Sequence, residues 1–129
     1  MNKLKAMKKL ILLTVAFLCF ACSKEYVMTE FCVKNTSDKT ISFEASIIKF
    51  SQITDPYEVS LLFTVQPNES VLARRVEYEK DGLEPQKWFS TFVIYPIEGI
   101  QMNDPNLAEN WVKSDKEGTP VYEFTLNKN

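Results

Sequence analysis

The sequence predicts an all-β fold, namely an antiparallel two-layer β-sandwich of six or seven strands with one short helix. Three observations support this class. Apolar and polar residues alternate in several short runs, and turn-forming clusters separate these runs by roughly ten to fifteen residues. Beyond its N-terminal segment the chain has about a hundred residues, which suits one domain. An immunoglobulin-like or transthyretin-like sandwich fits this strand number, with a small barrel or a sheet covered by one helix as alternatives.

The clearest alternation lies in residues 41–47, where four apolar residues are separated by Ser42, Glu44 and Ser46. Strict alternation places one set of side chains on a core and the other set in water. We therefore expect one buried face to contain both this apolar set and that of the run 59–65: Ile41, Phe43, Ala45, Ile47, Leu61, Phe63 and Val65. A first strand is expected over residues 26–34 and a last one over residues 120–127, with Tyr122, Phe124 and Leu126 inward.

Other segments carry weaker signals. The short turn Pro67-Asn68-Glu69 predicts a hairpin between residues 59–65 and 70–79, and the charges of 74–80 indicate that the second strand lies at an edge. The aromatic run 88–95 predicts a central strand that ends before Pro96.

A helix is expected after residue 104. Asp104 suits the N-cap and Pro105 the first helical position, while Leu107, Ala108, Trp111 and Val112 fall three and four residues apart. We expect two or three helical turns there, followed by a polar loop over 114–119.

The N-terminal segment has the composition of a bacterial export signal. Four lysines precede an apolar run of 12 residues, 10–21, which ends at Cys22. A membrane-spanning helix needs roughly 20 apolar residues, so a cleaved signal is favoured over a permanent span. The sequence thus divides into a signal peptide (1–21), a cysteine and tether (22–25) and a β-sandwich domain (26–129).

Phe20-Ala21-Cys22-Ser23 resembles the lipobox of bacterial lipoproteins, in particular the looser form found in Bacteroidetes-type lipoproteins. Ala21 matches the small residue before the cut, and Cys22 matches the cysteine that is acylated, whereas Cys19 and Phe20 depart from the usual pattern. The resemblance implies a lipid anchor on Cys22 and a location at the outer membrane or cell surface. Ordinary cleavage after Ala21 and an uncleaved anchor are the alternatives.

Composition excludes several kinds of chemistry. The chain has no histidine, which removes Ser-His-Asp and Cys-His catalytic sets and the usual zinc sites, and its three glycines form no phosphate loop. Four of its 15 Lys and Arg residues lie in the leader, so 11 remain against 17 Asp and Glu, a net charge of −6. An acidic domain is unlike nucleic-acid binders. We expect no enzyme activity, no cofactor, no metal and no nucleic-acid partner.

Three side chains remain as candidates for function besides Cys22. Trp88 and Trp111 are candidate binding aromatics, although packing in the core is the more common use of such residues. Cys32 lies in an apolar run and is expected to be a buried small hydrophobe rather than a reactive thiol.

These features predict a lipid-anchored, non-enzymatic binding or assembly module of the cell envelope, with the membrane and an envelope protein or glycan as partners. A surface carbohydrate-binding or adhesin-like protein is the alternative, and a hydrolase that uses acidic residues is a third hypothesis.

Overall fold

The computed structural model describes residues 24–129, so the predicted signal peptide and Cys22 lie outside the described residues. Two sheets form within this range, with strand orders β4-β1-β7-β6 (sheet A) and β3-β2-β5 (sheet B). In these residues no helix is long and apolar enough to cross a bilayer. The seven strands are β1 (Tyr26–Lys34), β2 (Ile41–Lys49), β3 (Tyr57–Val65), β4 (Ser70–Glu79), β5 (Thr91–Ile94), β6 (Trp111–Lys116) and β7 (Thr119–Thr125). The prediction of an all-β sandwich is confirmed.

One strand pair departs from the expected antiparallel arrangement. β1 and β7 are parallel, with Glu30 opposite Val121 and Lys34 opposite Thr125, whereas the other pairs are antiparallel. Between these two strands the chain enters sheet B twice, for β2–β3 and for β5, and the final β6–β7 reversal turns β7 into the direction of β1. As a result, β1 and β7 begin at the same end of the sandwich.

Strand β2 confirms most of the predicted alternation. Ile41, Phe43 and Ala45 are buried, and the ring of Phe43 stacks on those of Phe63 and Phe92 with both centroid distances at 4.8 Å. β2 lies between β3 and β5, and these two strands also bury small side chains on the outer face of β2.

Two residues of sheet B differ from the prediction. Ser46 is buried rather than solvated, because its Oγ lies 2.6 Å from the Oγ of Ser60 on the adjacent strand. Leu61 lies opposite Ala45 but is largely exposed. β3 is an edge strand, so no further strand of sheet B lies beside Leu61 to bury it.

The predicted hairpin between β3 and β4 is wrong. The two strands belong to different sheets, and residues 66–69 carry the chain from sheet B to sheet A. Asn68 adopts a positive φ of 61°, and the amide of Glu69 donates to the Gln66 carbonyl at 3.1 Å. This turn crosses between the layers instead of reversing the chain within one.

Strand β4 is an edge strand, as its charges predicted. Its irregular alternation has a structural cause in a β-bulge, since Arg74 pairs with Phe31 and Leu72 pairs with Cys32, which leaves Ala73 as an extra residue. An inserted residue reverses the inward and outward positions beyond it. Val71 before the bulge, Ala73 in the bulge and Val76 after it therefore all pack against the core.

The predicted helix after residue 104 is wrong. The carboxylate of Asp104 accepts the amide of Asn106 at 2.9 Å, and the helical part is one 3₁₀ turn, Ala108–Asn110. Trp111 already begins β6, so most of the predicted loop 114–119 is strand and turn. The helix does not form because Trp111 is buried in the core and pairs with Phe124 of β7. A helix continued through residue 111 would lose this pairing.

The predicted central strand 88–95 is also corrected. β5 comprises four residues at the edge of sheet B, and Trp88 belongs to a 3₁₀ turn, Pro85–Trp88. Phe89 points into the core between the sheets.

Replacing Phe43 by alanine should lower the free energy of unfolding by about 3–5 kcal/mol, because a fully buried ring with two stacked neighbours leaves a cavity. Urea titration measures this change. Glu44→Ala is the matched control one residue along, and its half-exposed carboxylate should matter little. Equal midpoints for the two variants would contradict the packing described above.

Candidate functional site

The loop between β4 and β5 closes one end of the sandwich. The amide of Lys80 donates to the Glu25 carbonyl at 2.8 Å, so the loop starts beside the N-terminal end of β1. We call this end, which contains Glu25 and Tyr26, the tether end. The loop borders an open cleft of about 770 Å³, lined by Tyr26, Tyr78, Glu79, Asp81, Gly82, Leu83, Glu84, Lys87 and Trp88.

Two buried tyrosines hold this loop in place. The Tyr122 hydroxyl donates to the Gly82 carbonyl at 2.7 Å, and the amide of Glu84 donates to the Tyr78 hydroxyl at 3.1 Å. A Cβ atom at Gly82 would lie 2.4 Å from the Tyr78 ring. Glycine is thus required here by close approach to an aromatic ring that the core keeps fixed.

Trp88, one of the two predicted binding aromatics, lies at this cleft. Its ring packs edge-on against Tyr78 at 5.1 Å, and it remains half-buried. The Arg74 guanidinium lies 5.4 Å from the Trp88 ring centroid and donates to the Trp88 carbonyl. Burial lowers the pKa of Arg74 from its ordinary value. The cation thus occupies part of the aromatic surface that a sugar would use.

Trp111, the other predicted binding aromatic, lies in the core. It is 5% exposed, stacks on Phe89 at 5.7 Å, and donates its indole N–H to the Pro105 carbonyl at 2.9 Å. The structure therefore does not bring Trp88 and Trp111 together as an exposed platform.

The carboxylates near the cleft contact lysines. Glu84 lies 2.9 Å from Lys87, and Asp81 lies 2.7 Å from Lys113. The hydrogen bond from Lys113 lowers the pKa of Asp81. Within residues 24–129, no three His, Cys, Asp or Glu side chains lie close enough together to hold a metal ion. The Asp81–Lys113 pair joins the β4–β5 loop to β6, and the Glu84–Lys87 pair lies within the loop, so both contribute to the position of the loop.

Cys32 is half-buried on the outer face of sheet A rather than in the core. Phe31 and Val33, the residues on either side of Cys32 in β1, point inward instead. Burial, and then the nearby Glu30 and Glu123 carboxylates, raise the pKa of the Cys32 thiol. The prediction of a buried small hydrophobe is thus corrected to a half-buried thiol, whose raised pKa favours the protonated, weakly nucleophilic form.

Sequence reasoning missed Tyr26 and Leu83 as cleft residues. Asp81-Gly82 marked a turn, but no pattern in the sequence indicates that this turn folds back under two tyrosines from different strands. No protein-family model, curated protein or solved structure matches the chain. The functional argument therefore rests on the geometry and on the N-terminal motif.

Stability should fall in alkaline solution. Burial raises the pKa of Tyr78 and of Tyr122, so the native state holds these phenolic protons more tightly than the unfolded chain does. Their contribution is fully present below about pH 10, the ordinary tyrosine value, and is lost as the pH rises through the native values. The raised pKa of Cys32 acts in the same direction from a lower pH.

Urea titrations between neutral pH and pH 11 measure this loss. Tyr122→Phe should show a shallower decline than the parent protein, because it removes one of the titrating groups. A free energy of unfolding that stays constant over this range would contradict the burial of both phenols.

Proposed function

We propose that this protein is a lipid-anchored cell-envelope protein that acts as a non-enzymatic binding or assembly module. The anchor rests on Cys22 and its lipobox-like context. The observation that carries the binding role is the open edge of β3. Along this nine-residue strand, one side pairs with β2, and no described strand pairs with the other side.

The other sheet edges in the described residues are protected against further pairing. β4 combines charged residues with a bulge, and β5 has four residues and is followed by Pro96. β6 carries Lys113, Asp115 and Lys116 within six residues. Charges, bulges, proline and short length are the usual means by which proteins block edge pairing.

β3 lacks these protections. Glu58 is its one charged residue, and Leu61 and Leu62 are both largely exposed on opposite faces. An extended partner segment that adds to a free edge gains backbone hydrogen bonds, and side-chain contacts on the two faces give it specificity. The β3 edge suits an extended segment with apolar residues and little charge.

The proposed anchor constrains where binding takes place. Three residues separate Cys22 from Tyr26, and four Cα steps span at most about 14 Å. Two or three acyl chains are needed for lasting attachment. The domain would therefore work close to the membrane, with its strands leading away from the tether end.

Cys22→Ala should abolish incorporation of labelled palmitate and leave the domain soluble or unprocessed. Cys32→Ala is the control with the same chemistry, and it should retain the label because residue 32 lies within β1. Continued labelling of Cys22→Ala would remove the basis of the anchor.

A photo-crosslinking amino acid in place of Leu62 should give adducts with an envelope protein in intact cells. Val112 on the β6 edge provides the matched position, since both side chains are 64% exposed. Position 112 should give few adducts because the β6 edge is protected by charge. Equal yields at the two positions, or adducts at 112 alone, would contradict binding at β3.

A carbohydrate-binding or adhesin-like role is the second candidate, favoured by the cleft beside Trp88 and Tyr26. Aromatic rings offer rigid contact area to sugars at low entropic cost. The contact of Arg74 with Trp88 reduces this area, which places the candidate second. Glycan binding that depends on Trp88 and persists when β3 is blocked would reverse the order.

A further inference from the structure

The most exposed large apolar side chains of the described residues are Ile53 (94%), Leu83 (85%) and Phe50 (80%). Isolated apolar residues on a surface need no explanation, but a group at one place often marks a binding or membrane surface. We call these three residues the apolar tip.

The strand directions place the apolar tip at the tether end. β1 runs away from Tyr26 towards Asn35, whose side-chain amide donates to the Val65 carbonyl at 2.9 Å, so the end of β3 lies there too. β2 runs back from that opposite end, and its connection to β3, residues 50–56, therefore returns to the tether end. Leu83 lines the same cleft as Tyr26.

The fold gives these residues no covering partner inside the described chain. Phe50 and Ile53 lie in the β2–β3 connection beyond the last strand pair, Lys49 with Tyr57. Sheet A contributes the β4–β5 loop, which carries Leu83, to this end, and the exposed Lys24 and Glu25 precede β1 there. The hairpin thus projects at the end from which the chain continues towards Cys22.

We propose that the apolar tip inserts into the interfacial region of the membrane that carries the acyl chains of Cys22. The proposal rests on the lipid anchor proposed above. A tether of at most about 14 Å keeps the tether end at the bilayer surface, where burial of apolar side chains is favourable. Residues 49–57 contain one base, Lys49, and one acid, Asp55, so the hairpin carries no net charge that would select anionic lipids.

Depth-dependent fluorescence quenching tests this orientation on the full acylated protein. Phe50→Trp and Ile53→Trp each place an indole on the tip, and Leu62→Trp places one on the exposed outer face of β3 as the matched control. Each protein is reconstituted into vesicles of brominated phosphatidylcholine, and the signal of the native tryptophans is subtracted with the parent protein.

We expect bromolipid to quench the added indole at position 50 or 53 at least twofold more than at position 62, with a blue-shifted emission. High salt should not reverse this, because insertion is driven by apolar burial rather than by charge. Comparable quenching at positions 50, 53 and 62 would overturn the proposed contact.

Mass spectrometry of the same preparations separates the two hypotheses. If Cys22 carries acyl chains but the tip indoles are not quenched, the anchor stands and the insertion is wrong. If Cys22 carries none, the anchor and the insertion resting on it both fail.

Discussion

Phe31 in the middle of sheet A contacts four other aromatic rings: those of Tyr78, Phe89, Trp111 and Tyr122, with centroid distances of 5.6–6.0 Å. These rings come from three other strands and from the β4–β5 loop, so one residue joins elements far apart in sequence. Aromatic pairs add about 0.5–1.5 kcal/mol each beyond their burial. The loop that borders the cleft is therefore positioned by the core, and the cleft depends on the core packing.

Local periodicity was sufficient to predict the inward residues of β2 and β7, because each follows from its own alternation. The pairing of strands was not predictable in this way. A short turn such as 66–69 fixes only the distance between two strand ends, and that distance suits a crossing between layers as well as a hairpin. The choice between a hairpin and a crossing depends on nonlocal contacts. Asn35 is fully buried and donates to the Lys39 and Val65 carbonyls, so it joins the β1–β2 connection to the β3–β4 connection.

The candidate site was harder to predict than the fold for the same reason. Trp88 and Trp111 were both predicted as possible binding aromatics, yet one borders the 770 Å³ cleft and the other is in the core. Their difference arises from the path of the β4–β5 loop, which Tyr78 and Tyr122 determine from two other strands. The helix predicted after Asp104 failed similarly, since burial of Trp111 and pairing of β6 outweigh a good capping sequence.

The proposed anchor on Cys22 and the open edge of β3 would together restrict the kind of partner. If two copies paired through β3 in the usual antiparallel manner, their tether ends would point in opposite directions. Nine residues of strand span about 30 Å, which exceeds the reach of about 14 Å from Cys22 to Tyr26. Two upright copies on one membrane are thus unable to pair in this manner. The proposed anchor therefore favours, as the proposed partner of β3, a different polypeptide that presents an extended segment alongside the domain.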